Sequence, residues 1–464
     1  MKSIIFILLL FCTISCSNQN AYNKRLEGSW LGKMRNLRII FKFKTEKDKI
    51  LVFMDCPEQN IFNLKLNGVL MKEDSVFVNA SNIPGNAHYD GKMQIADTII
   101  EGFWKQGGQI VPLQMVKQKS EIKPNRPQEP KPPFPYKSED IVFMNTKDNI
   151  ELAGTLTLPE GNGPFPAVIM ITGSGAQDRN EELLGHKPFW VIADYLTRKG
   201  IAVLRYDDRG FAQSKGTYAN STIFDFAKDA QAALDYLLNR KEINKNQLGI
   251  IGHSEGGMVA SIVASERKEL GFIVLLAGPG VSGMDILEKQ TIDIMTVQGA
   301  KKEDIDKIIN DRKQLYNIFI NESDSNTASQ KILKLYIAQN KLDTINNKQD
   351  IEKLAAIKNT IHDISFRTFL ISNPQTYLEK IKCPVLALNG STDLQVNADI
   401  NLSAIENALK KGGNKKYKII KIDKLNHSFQ YSETGDPAKY PEIEETFSVD
   451  ALKTIADWIK IVTN

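Results

Sequence analysis

The chain has 464 residues, of which 42% are hydrophobic and 25% charged, with 59 Lys and Arg against 55 Asp and Glu for a formal net charge of +4. A chain of this length and apolar content can bury more than one core, and a small net charge with both signs spread along it gives no case for a nucleic-acid partner. Beyond Cys16 only Cys56 and Cys383 remain, which argues against a structural disulfide, and the spacing of Cys and His offers no metal site, so neither metal nor cofactor is expected.

Residues 1–16 combine a basic start at Lys2, an apolar run over 4–11 and the sequence Thr13-Ile14-Ser15-Cys16. They read as an export signal, too short to remain as a membrane span. The segment resembles a bacterial lipoprotein signal with Cys16 as the acylated new N-terminus, although Thr13 replaces the usual leucine. The expected location is the cell envelope, periplasm or outer membrane, with membrane contact through the lipid anchor only; plain secretion is the alternative. Polar residues 17–25 follow as a tether. Residues 26–118 read as short strands (37–43, 50–54, 62–66, 76–78 and 98–104) separated by turn residues, the pattern of a small antiparallel β-barrel or sandwich domain with Trp30 and Trp104 in its core. A proline-rich stretch over 119–138, including Pro132, Pro133 and Pro135, predicts an extended, semi-rigid linker.

From 139 to 464 apolar runs alternate with helical patterns. Strands are expected near 141–144, 151–158, 167–171, 202–206, 248–251, 272–276, 385–388 and 417–422, with helices over 189–198 and 223–238. Runs this apolar suit strands buried on both faces, so the alternation predicts an α/β domain on a doubly wound, mostly parallel sheet. About 100 residues separate the strand at 272–276 from that at 385–388, too many for one connection in a compact domain. Helical spacing over 284–297, 302–319 and 328–338 predicts an inserted helical cap at about 281–375, which sets substrate choice.

The pentapeptide Gly252-His253-Ser254-Glu255-Gly256 joins the apolar run 247–251 to a helix-forming segment. A serine on a sharp strand-to-helix turn is presented as a nucleophile, and the flanking glycines fit where side chains would collide. Asp393 follows the strand at 385–388 and His427 the strand at 417–422, so each lies just past a strand end, where doubly wound sheets build their sites. Of five histidines, His253 lies inside the pentapeptide, His88 in the other domain, and His186 and His362 follow no strand end, which leaves His427 as the base. Taken singly, Ser254 fits an ordinary turn residue, Asp393 an Asx-turn or helix cap and His427 a loop histidine. Taken in order they are nucleophile, orienting acid and base. The Glu255 carboxylate either favours the positive end of the following helix or, with Asp178 as the other candidate, holds a cationic substrate amine.

Thr172-Gly173-Ser174-Gly175, Asp207-Asp208-Arg209-Gly210, the pentapeptide, Asp393 and Asn426-His427 occur in that order. With these landmarks, residues from about 141 to the C-terminus resemble an α/β-hydrolase of the branch containing dienelactone-hydrolase-like esterases and serine aminopeptidase-like enzymes. The β domain before them looks like one that precedes the catalytic domain in some exported bacterial hydrolases. The resemblance implies a triad of Ser254, Asp393 and His427 working through an acyl-enzyme, with the backbone N–H groups of Ser174 and Glu255 as oxyanion hole. Two departures stand out. Thr172-Gly173 occupies the place where related enzymes usually carry His-Gly, so whatever that histidine does to shape the loop falls to other residues. Ala212 replaces the second glycine of the Asp-x-Arg-Gly-x-Gly-x-Ser pattern, in a loop read as scaffold beside the pocket. The expected activity is hydrolysis of a carboxylic ester of a small substrate by a serine hydrolase. A serine aminopeptidase or amidase is the first alternative, and a non-catalytic surface binding module the second.

Overall fold

A computed structural model describes residues 22–35, 37–46, 49–56, 59, 61–119, 125–340, 342, 345, 348–360 and 363–464. The expected export signal with Cys16 lies outside the described residues, as does His362. The chain divides into two units between Asn125 and Arg126, with Tyr440–Glu442 grouped with the first.

In the first unit nine described strands form one antiparallel sheet: β1 (Gly28–Met34), β2 (Leu37–Glu46), β3 (Lys49–Cys56), β4 (Ile61–Lys65), β5 (Gly68–Lys72), β6 (Ser75–Ala80), β7 (Ala87–Met93), β8 (Ile99–Gln106) and β9 (Gln109–Lys117). Their order is β4-β3-β2-β1-β9-β8-β7-β6-β5, with β1 joined to β9 through Leu31 opposite Val116. The sheet therefore ends at β4 and β5 and forms a half-barrel around Trp30, Phe41, Phe43, Tyr89 and Met115. Strand β7 shows why part of this sheet escapes a search for alternating apolar residues. Its Gly91 stands opposite Gly102 of β8, and a Cβ at Gly91 would lie 2.8 Å from the Tyr89 ring. One aromatic ring thus fills the space of two side chains. Pro112 in β9 lies where that strand runs beyond β1, which pairs only with residues 115–117, an edge position that tolerates proline.

The second unit carries eight described strands in the order β10-β11-β13-β12-β14-β15-β16-β17. The hairpin β10 (Lys137–Asn145) and β11 (Ile150–Leu158) is antiparallel and leads into β12 (Phe165–Ile171), β13 (Ala202–Tyr206), β14 (Ile243–His253), β15 (Phe272–Leu276), β16 (Val385–Gly390) and β17 (Tyr417–Ile422), which run parallel to one another. All eight expected strands are present, and the architecture is that of an α/β-hydrolase. Successive residues of β12 face opposite cores. Ile169 and Ile171 meet the helices Ile223–Leu238, Glu255–Glu266 and Ala398–Lys411, while Val168 and Met170 meet Pro188–Arg198 and Val449–Thr463. The strand order reverses direction between β12 and β14. The crevice at their carboxyl ends is where such sheets bind ligands.

Between β15 and β16 lies the inserted cap: Gly283–Val297, Lys302–Asn321, Ser325–Asn340, Lys348–Asn359 and Ile364–Ile371. Phe319, Ile332, Tyr336, Leu354 and Leu370 give it a core of its own. The first and last of these helices start on side-chain caps, Ser282 accepting from the Asp285 N–H and Asp363 from the Phe366 N–H. Residues 126–136, within the stretch expected as a spacer, are fastened to this unit instead. Arg126 donates to the carbonyls of Leu184 and Ile443, Gln128 bonds the main chain of Thr446 and Phe447, and Tyr136 donates to Asp194.

Candidate active site

Strand β14 ends in a turn that only small residues permit. Ser254 holds φ +51° and ψ −122°, and its N–H donates to the Leu276 carbonyl at 2.8 Å. A Cβ at Gly252 would lie 2.1 Å from the Gly256 oxygen, and one at Gly256 2.3 Å from the Ile171 oxygen. Left-handed backbone at a non-glycine residue is strained and persists only where the surroundings enforce it. Here it lifts the Ser254 side chain to the wall of a 630 Å³ cavity.

His427 reaches the same cavity from the loop after β17. That loop is closed by Asn426, whose side chain bonds both the main chain and the side chain of Gln430. His427 Nδ1 lies 2.8 Å from Asp393 Oδ2, and the other carboxylate oxygen accepts the N–H groups of Gln395 and Val396. Both side chains are buried. A carboxylate accepts, so Nδ1 carries the proton and Nε2 keeps its lone pair, the state a general base requires.

Across the cavity is the turn after β12. The Gly173 N–H donates to Glu181 Oε1 at 2.7 Å and the Gly175 N–H to the Tyr218 hydroxyl at 3.0 Å. Among the described residues, the N–H groups of Ser174 and Glu255 have no acceptor within the protein, and both residues line the cavity. The acidic pair after β13 holds this loop in place. Asp207 binds the Arg179 side chain and N–H, and Asp208 accepts from Thr172 Oγ1 and the Gln177 N–H. Burial pushes the Asp208 carboxyl up to about 7. Arg209 is spent on Asp148 and Asp229, which places the Asp-Asp-Arg-Gly segment in the scaffold.

The cap supplies Ile286, Leu287, Phe366 and Phe369 to the cavity, and Glu255 and Asp363 supply carboxylates; among the described residues no Lys or Arg lines it. Burial raises the Glu255 carboxyl to about 7, and among the described residues it has neither an ion pair nor a hydrogen bond. Asp178 does not line the cavity. Its oxygens accept from the N–H groups of Asn180 and Glu182 and from the Asn180 side chain. Ser254, His427, Ser174 and Glu255 therefore meet at one cavity with Asp393 behind His427. Sequence reasoning missed Glu181 and passed over His253, which bond each other at 2.9 Å; no periodicity links two residues 72 apart. Among the described residues no group of three or more His, Cys, Asp or Glu is placed to hold a metal ion.

A family model described as X-Pro dipeptidyl-peptidase (S15 family) matches residues 148–420, more than half of the chain. Esterase EstD of Thermotoga maritima is 33% identical over 158 residues, which cover 34% of this chain and 36% of that protein. The uncharacterized protein YfhR of Escherichia coli O157:H7 is 28% identical over 145 residues, 31% of this chain and 48% of that protein. The chain thus spans between about a third and a half of the length of these curated relatives. Among solved structures, the Pyrococcus furiosus esterase Pf2001 aligns over 74% of this chain and 100% of its own, with a TM-score of 0.43 and 16% identity.

The raised Glu255 pKa has a consequence for stability. In the unfolded chain this carboxyl ionises near the ordinary glutamate value of 4.5, and in the folded protein near 7. Between those values the folded state binds more protons than the unfolded one, so the wild type loses stability as pH rises through that window. Glu255→Gln removes the loss. The variant is expected to match the wild type at pH 4 and to exceed it at pH 8 in urea unfolding; an equal difference at both pH values would show that the carboxyl does not titrate there.

Proposed function

The chain belongs to the X-Pro dipeptidyl-peptidase (S15) family, and on that premise we propose that it is a serine hydrolase that cleaves a carboxylic ester of a small substrate through an acyl-enzyme on Ser254. The observation that carries the proposal is the shared cavity of Ser254 and His427, with His427 Nδ1 held at 2.8 Å by Asp393. In this reading His427 Nε2 takes the Ser254 proton as Oγ attacks the acyl carbon. The N–H groups of Ser174 and Glu255 receive the oxyanion, each worth about 10² to 10³ in rate. The tetrahedral intermediate then collapses, the alkoxide leaves with the proton from His427, and water activated by the same imidazole releases the acid. The apolar cap wall suits the acyl or alcohol portion. The likeness to an esterase over a third of the chain favours an ester as substrate. The decisive comparison is kcat/KM on a short-chain activated ester for the wild type and Ser254→Ala. A loss of about 10⁴-fold or more is expected, and equal rates would remove Ser254 from the reaction.

A second reading, a serine aminopeptidase or amidase, is favoured by the Glu255 carboxyl, which among the described residues has no ion pair or hydrogen bond, in a cavity that no described Lys or Arg lines. If a substrate amine sits there, Glu255→Gln raises KM about tenfold or more for aminoacyl substrates and leaves neutral esters within about twofold. Parallel changes in both series would reject amine recognition.

The protein is further proposed to be exported and held at the cell envelope by acylation of Cys16, on the strength of residues 1–16. Metabolic labelling with a fatty-acid analogue is expected to mark the wild type and not Cys16→Ser. An unlabelled wild type would leave plain secretion.

A further inference from the structure

The turn that carries Ser174 is shaped by a side chain with no part in the mechanism above. Glu181 lies in the loop after β12, buried, with its own backbone at φ +53°, a conformation that non-glycine residues hold only where the surroundings enforce it. Its Oε1 accepts the Gly173 N–H at 2.7 Å and lies 2.9 Å from His253 Nδ1. The other ring nitrogen, His253 Nε2, lies 3.0 Å from the main-chain carbonyl of His427, and the two imidazole centroids are 4.9 Å apart. A carbonyl only accepts, so Nε2 carries a proton. Nδ1 faces a carboxylate oxygen that already accepts from Gly173, so it carries one as well, and the ring is an imidazolium paired with Glu181. Burial alone would lower the His253 pKa; the Glu181 carboxylate, the His427 carbonyl and Asp393 more than reverse this and raise it above the ordinary value.

We propose that Glu181 and His253 act as one positioning unit, which fixes the oxyanion turn and the general-base loop on either side of Ser254. One carboxylate oxygen holds the β12 turn and the residue before the nucleophile, and the His253 ring carries that constraint to the main chain of His427. The spacing is tight: a Cβ at Gly173 would lie 3.3 Å from both Glu181 Oε1 and the Ser254 Cβ. Charge enters as well. The titratable groups facing the His253 ring are Glu181, Asp393 and His427, and the Phe429 ring meets it edge-on at 6.4 Å. When His427 takes the serine proton, two imidazoliums stand side by side, and the carboxylates of Glu181 and Asp393 balance them. The inference rests on the serine-hydrolase reading.

The test uses the full chain and an activated short-chain ester, with Glu181→Gln, His253→Gln and the double variant. Each single change is expected to lower kcat about 10- to 100-fold, the scale of an ångström-level misplacement, with KM within about threefold. The double variant is expected to be no slower than the slower single, because the pair acts as a unit. His253→Gln is expected to move the acid limb of kcat/KM to higher pH, since the positive neighbour that opposes protonation of His427 is gone. A kcat within about twofold of wild type in Glu181→Gln, losses that multiply in the double variant, losses confined to KM, or an unmoved acid limb each overturn the proposal. If Glu181→Gln does not fold, Glu181→Asp keeps the charge with a shorter reach; the same kcat loss supports the proposal and a wild-type kcat overturns it. Activity that survives Ser254→Ala rejects the hydrolase reading itself, whereas activity that needs Ser254 and ignores Glu181 rejects only this inference.

Discussion

Main chain meets main chain at the start of the helix Glu255–Glu266, and the arrangement of the site depends on that approach. A Cβ at Gly256 would lie 2.3 Å from the Ile171 oxygen, and one at Gly257 2.8 Å from the Gly278 Cα. The missing side chains let the helix drop between the ends of β12 and β15, which sets the Ser174 turn beside Ser254 and leaves the Leu276 carbonyl free to take the Ser254 N–H. Strain of about 1–3 kcal/mol at a residue such as Ser254 is sustained by a sheet whose strands are buried on both faces. The packing of the whole catalytic unit thus bears on the angle of one side chain.

The parallel sheet was legible because burial on both faces writes itself into sequence as unbroken apolar runs such as 272–276, and connections across such a sheet put helical patterns between them. Asp393 and His427 were legible for a topological reason, since strand ends gather at one edge of the sheet. The half-barrel was only partly legible. Strand β7 contains Gly91 because a neighbouring tyrosine fills the space, a compensation invisible along the chain. The fastening of Arg126 to the Ile443 carbonyl spans 317 residues and involves a main-chain acceptor, which carries no residue signature at all. Glu181 escaped for a related reason: its partners are a glycine N–H and a histidine that the pentapeptide had already claimed.

Among the described residues, the Lys, Arg, Asp and Glu side chains lining the cavity are all acidic. The chain as a whole is slightly basic, yet the residues lining the cavity supply carboxylates and no Lys or Arg among those described. Burial disfavours an ionised carboxyl, so Glu255 at the cavity and Asp208 in the scaffold beside it both hold protons more tightly than in water. Asp393 lies behind the lining of the cavity, where two main-chain N–H groups and the His427 ring bond its carboxylate.

The cap keeps its own core of Phe319, Ile332, Tyr336, Leu354 and Leu370, apart from the two cores that sandwich the sheet. Its Ile286, Leu287, Phe366 and Phe369 wall the cavity without being part of the packing that holds Ser254, His427 and the turn after β12. Variation in those four side chains changes what the cavity admits and leaves Ser254, Asp393 and His427 in register, so the shape of the cavity can drift independently of the arrangement behind it.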